Sequence, residues 1–144
     1  MSRLTTIGYE NETQAAVIER LKQAGVEVVV DVRAVAASRR AGFSKTLLAA
    51  SLNEAGIGYV HLRQLGTPKP GRDAARKGHV AEMRAIFEDH LAEPGAQLEL
   101  AKAAEMAREK TIALLCYEAD ACGCHRAIVA DRICEAIGCE IENL

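Results

Sequence analysis

Three valines stand in a row inside residues 26–32, so this segment is apolar at consecutive positions rather than at alternate ones. A strand of that kind buries both faces, as strands of a parallel sheet do when helices cover both sides. The rest of the chain fits the same plan. Residues 4–8 form a short β-rich run. Residues 12–24 then place Ala15, Val17, Ile18 and Leu21 at helical spacing. Asn11 is the expected cap, with Gln14 three residues later and Gly25 as the stop. A second helix, capped by Ser44 and closed by Gly56, carries Leu47, Leu48 and Leu52, and residues 57–62 follow as a strand. Further helices are expected over 81–91, 97–109 and 124–137, with strands at 111–116 and 140–144. Residues 66–78, rich in proline, glycine and basic side chains, read as a connecting loop and a mobile cover.

Strands alternating with helices of this length imply βαβ units and right-handed crossovers. The expected fold class is therefore α/β. It is a three-layer single domain over residues 1–144, with a mainly parallel central sheet of about five strands and helices on both faces. Strand order and the direction of the last strand stay open.

A chain of 144 residues suits one domain and buries roughly two-thirds of its unfolded surface. Apolar residues make up 49% but aromatics only 3%, so the core must be built from Ala, Val, Ile and Leu. No apolar stretch approaches the ~18 residues of a membrane span. The opening MSRLTTIGYE does not read as a signal peptide, and a cytoplasmic location is expected. The five cysteines are then expected to be mostly reduced thiols. The net charge of −2 hides a basic middle: residues 31–79 carry nine Lys/Arg against three Asp/Glu. That excess points to anion binding, while an ordinary solvated surface is the plainer alternative.

In open parallel sheets, ligands bind beyond the carboxyl ends of the strands. Those ends collect the chain's reactive groups. Tyr9, Glu10 and Asn11 follow the first strand, and Asp31, Arg33, Ser38 and Arg39 the second. His61 closes the third. Cys116, Glu118, Cys122, Cys124, His125 and Arg126 follow the fourth. Seven of these, Asp31, Arg33, Cys116, Glu118, Cys124, His125 and Arg126, are expected to line one pocket. Cys124 and His125 open a helix, where free N–H groups and the dipole favour a thiolate beside an imidazole. Cys124 is expected to be the more acidic thiol and Cys116 the more buried. Glu118 is a candidate general base or an exposed loop carboxylate. Asp31 and Arg33 form either a local ion pair or an anion grip with a proton acceptor. Asn11 reads mainly as a helix cap.

Cys116, Cys122, Cys124 and His125 offer four soft ligands, yet their spacing lacks the paired C-x2–4-C of structural zinc sites. No cofactor is expected, with a transition metal the minor alternative. Cys134 and Cys139 read as small core residues.

Thr6-Ile7-Gly8-Tyr9-Glu10-Asn11, Asp31-Val32-Arg33 with Ser38-Arg39, Tyr59-Val60-His61-Leu62, Leu114-Leu115-Cys116-Tyr117-Glu118 and Cys124-His125-Arg126 occur in that order. In this the chain resembles, over nearly its whole length, the bacterial and archaeal family called domain of unknown function 488. The resemblance implies a small single-domain α/β protein with a site and no established reaction. The family's first motif usually reads Gly-His-Ser-Asn, whereas Tyr9-Glu10 stands here. Ala36 replaces a common proline, and Cys122 is an extra thiol.

The leading expectation is an uncharacterised enzyme acting on a small anionic or nucleotide-like substrate. Cys116, Cys124, His125, Asp31 and Glu118 would be its catalytic groups. Asn11, Arg33, Ser38, Arg39, His61 and Arg126 would bind substrate. A nucleic-acid-associated protein using residues 31–79 is the alternative, weakened by few aromatics for base stacking. A metal-binding or thiol sensor is the third. No G-x-G-x-x-G opens the first helix, which disfavours dinucleotide binding. No membrane association is expected, and the oligomeric state stays open.

Overall fold

A computed structural model describes residues 2–144, without the side chains of Ser2 and Cys122. Five strands form one sheet: β1 (Ser2–Gly8), β2 (Val28–Asp31), β3 (Gly58–His61), β4 (Ile112–Cys116) and β5 (Cys139–Asn143). Every pairing is parallel, in the order β3-β2-β4-β1-β5. The last strand, whose direction the sequence left open, lies parallel to β1 with Ser2 opposite Cys139.

The triple valine explains the layering. Side chains alternate across a strand. Val28 and Val30 therefore join a core with Leu4, Leu114, Phe87 and Ile133 on one face. Val29 points the other way and packs with Ile7, Leu115, Val17 and Leu48. Helices α1 (Gln14–Gln23) and α2 (Lys45–Glu54) cover this second face. The first face is covered by α3 (Lys69–Arg76), α4 (Val80–Leu91), α5 (Pro94–Glu109) and α6 (Arg126–Ile137). The result is the expected three-layer α/β domain. Among the described residues no helix is long and apolar enough to cross a membrane.

Several local expectations are corrected. Thr13, not Asn11, caps α1: its hydroxyl accepts from the Ala16 N–H at 3.1 Å. Asn11 instead turns the chain with a φ of 60°, a left-handed conformation that Asn adopts more readily than most residues. Residues 66–78 are not a loop, because they contain α3. Pro68 is its cap residue and Pro70 sits in its first turn, where a missing N–H costs nothing. Asp73 adds ion pairs with Lys69 and Arg76. Prolines and glycines here punctuate a short helix. Finally, Cys134 and Cys139 are joined as a disulfide rather than packed as separate thiols. Left-handed Gly138 ends α6 and turns the chain into β5, leaving the two Cα atoms 4.8 Å apart.

Candidate active site

Because all strands run the same way, their carboxyl ends share one edge. The loops there pack closely. A Cβ on Gly8 would sit 1.8 Å from the Glu118 carbonyl oxygen, so only glycine lets the connection after β4 cross the end of β1. A cavity of about 800 Å³ opens at this edge. Its floor holds Cys116, Cys124 and His125; Arg33 and Tyr9 form one side, and Arg72 and Arg76 of α3 another.

Cys116 is the last residue of the buried strand β4, and Cys124 and His125 immediately precede α6. The His125 ring faces both thiols through one nitrogen. Its Nδ1 lies 3.8 Å from Cys116 Sγ and 3.7 Å from Cys124 Sγ. Its Nε2 is 2.7 Å from the Val32 carbonyl oxygen. A carbonyl only accepts, so Nε2 carries a proton, and Nδ1 is the ring atom that faces the sulfurs. Phe87 of α4 meets the ring edge-on at 5.1 Å and fixes its tilt.

Both thiols are buried, Cys124 at 2% and Cys116 at 5% exposure, so depth does not separate them. Cys124 is tucked under the start of α6, where the Arg126 backbone N–H reaches its sulfur at 3.5 Å. Burial opposes ionisation of Cys124. The Cys116 thiol, the His125 ring and Arg126 outweigh it and hold Cys124 well below the ordinary thiol range. Cys116 moves the opposite way, because it donates to Cys124, is buried, and faces the charges of Cys124 and Glu118. For His125, burial disfavours the cation, yet the adjoining Cys124 charge and hydrogen bond raise its pKa overall. Glu118 is raised by burial and then by Cys124; its Oε2 accepts from Cys116 Sγ at 3.4 Å.

The remaining expected residues divide into a lining group and a supporting group. Arg33 lines the cavity, but Asp31 holds it from behind. Nε and Nη2 donate to the two carboxylate oxygens at 2.9 and 2.7 Å, and Nη1 donates to Tyr9 and to the Phe43 carbonyl. Burial works against the guanidinium charge, and Asp31 more than restores it, leaving its pKa above the usual value. Tyr59 donates to the same carboxylate at 2.5 Å. His61 sits 2.7 Å from the Arg33 carbonyl. Arg126 is wholly buried and donates to the carbonyls of Glu118 and Ala119, so it clamps the loop after β4. Ser38 braces the connection after β2, where its hydroxyl accepts from Arg40 N. Asp31, Arg126, Asn11, Ser38, Arg39 and His61 do not line the cavity. The expected seven-residue pocket is thus corrected to Arg33, Cys116, Glu118, Cys124 and His125, with Asp31 and Arg126 behind it. Asp31 is turned into the sheet by its own arginine.

Met83 and Phe87 against the cluster were not foreseen. Their four-residue spacing on α4 signals only a core-facing stripe. Cys116, Cys124 and His125 could also hold a metal ion, since one ligand atom from each lies within 4.8 Å of the others. Cys122, the fourth soft ligand weighed from the sequence, has its side chain outside the described ones. No curated protein and no solved structure matches the chain. The family model described as domain of unknown function DUF488 matches residues 13–133, and the chain belongs to that family.

Proposed function

We propose that this cavity is the active site of an enzyme that transforms a small anionic substrate. Its reactive centre is the Cys116–His125–Cys124 cluster. One observation carries the reading: a single imidazole nitrogen stands at 3.7 and 3.8 Å from two buried sulfurs at the floor of an open cavity. A core thiol needs no such partner, and a thiol beside an imidazole is the usual arrangement for nucleophilic cysteine chemistry. The volume suits a small molecule better than a polymer groove. Arg72 supplies the anion preference. It lines the cavity and donates to the Thr67 carbonyl, whereas Arg76 pairs with Asp73 and Arg33 with Asp31. Glu118, with Oε2 3.4 Å from Cys116 Sγ, would carry a proton to or from the centre.

Two alkylating reagents that differ only in charge test this reading. In reduced, chelator-treated protein at neutral pH, iodoacetate should modify Cys124 faster than iodoacetamide does. The preference should reverse in Arg72→Ala. Mass spectrometry assigns the site. First modification at Cys116, or a faster iodoacetamide reaction in the unaltered protein, would overturn the proposal.

A further inference from the structure

We infer that Cys116, Cys124 and His125 bind one soft divalent metal ion of the zinc class, through the two sulfurs and Nδ1. The inference rests on the reading of this cavity as the reaction centre and names the cofactor that works there.

Distances come first. A tetrahedral ion with metal–sulfur bonds of about 2.3 Å and a metal–nitrogen bond of about 2.0 Å sets sulfur and nitrogen about 3.5 Å apart. The two observed separations are 3.8 and 3.7 Å. They are long for thiol–imidazole hydrogen bonds and close to the spacing of two ligands on one ion. Cys124 and His125 are chain neighbours, but a helical turn at His125 (φ −61°, ψ −19°) lets both reach the same point.

The surroundings agree. Histidine ligands almost always donate their second nitrogen to a carbonyl or carboxylate, which orients the ring. His125 does so, with Nε2 2.7 Å from the Val32 carbonyl oxygen. The Arg126 N–H on Cys124 Sγ at 3.5 Å is a donor suited to a ligated thiolate. Charge points the same way. A dication with two thiolates and a neutral imidazole is neutral as a unit, which a buried site tolerates better than a lone thiolate. Sulfur and imidazole ligands favour zinc-like ions over magnesium or calcium, which take oxygen.

Three protein ligands leave a fourth position, as catalytic zinc sites do. The cluster lines the cavity, so that position would be open to it, and Glu118 lines the same cavity 3.4 Å from Cys116 Sγ. The loop spacing that spoke against zinc applies to paired-cysteine structural sites. Here the sheet brings a strand end and a helix start together, so the spacing in sequence carries little weight.

The test uses the full chain without a metal-affinity tag. Elemental analysis of the purified protein should find one equivalent of metal per chain. After chelation and reduction, titration with cobalt(II) should give the intense visible bands of a tetrahedral ion and a near-ultraviolet thiolate-to-metal band. Cys116→Ser and Cys124→Ser should each weaken that band, while Cys134→Ser, outside the cluster, should keep it. A weak octahedral cobalt spectrum in the unaltered protein overturns the inference, even if the serine variants fail to fold. An unchanged spectrum in both serine variants overturns it too. Iodoacetate preference retained without a tetrahedral spectrum removes the metal and leaves the anion pocket. A tetrahedral spectrum without that preference keeps the metal and removes the anionic substrate.

Discussion

Arg33 carries its charge at the wall of the cavity on a carboxylate that solvent does not reach, and the pair anchors three segments at once. Its guanidinium joins the end of β2 to Tyr9 after β1 and to the Phe43 carbonyl before α2. Tyr59 from β3 adds a donor to Asp31. Breaking such a pair from one side strands the other charge in the core. Asp31→Ala should therefore cost about 3–5 kcal/mol of stability in urea unfolding. Asp31→Asn should cost less, because an amide oxygen still accepts from the arginine. A loss near zero for Asp31→Ala would show that Arg33 finds water or another acceptor. The pairing was legible as one of two readings of Asp-Val-Arg. The burial that makes it an anchor was not, since neither residue type signals depth.

Helix α3 and the Cys134–Cys139 bridge show how elements escape a reading made segment by segment. Pro68, Pro70 and Gly71 look like loop residues, yet each occupies a place where a short helix tolerates it. Gly71 is also buried, and a Cβ there would meet Thr67 Cγ2 at 2.3 Å. The helix thereby becomes a wall that carries Arg72 to the cavity. The bridge ties α6 to edge strand β5, most of whose side chains face solvent. Closing so short a loop should stabilise the protein by about 2 kcal/mol. A reductant too weak to disturb the fold otherwise should lower Tm by about 5–10 °C. Cys134→Ser should show the lower Tm with and without reductant. No response to reductant would mean the two thiols are not bridged in the protein measured.

Taken as one molecule, the domain is a parallel sheet whose three central strands meet the site and whose edges differ. β2 and β4 are buried along their whole length, whereas β5 is largely exposed. Stability should follow that gradient, because amides in strands covered on both faces exchange only on near-global opening. Hydrogen exchange should be slowest in β4 and β2, and faster in β5 by orders of magnitude. Equal protection across the sheet would contradict a core centred on β4. The sequence by itself determined the layers: three valines in a row, repeated helical stripes and their stop signals admit only strands covered on both faces. It also determined that Cys116, Glu118, Cys124 and His125 share one strand-to-helix connection, since they are near neighbours in the chain. Tertiary structure decided the rest. Strand order brought Val32 of β2's exit under the His125 ring, and that carbonyl chose which nitrogen faces the sulfurs. It also sent Asp31 and Arg126 behind the cavity wall and brought α3 to it. Local patterns encode which face of an element is apolar, but contacts between segments ninety residues apart depend on how faces and loops pack, which no single window contains.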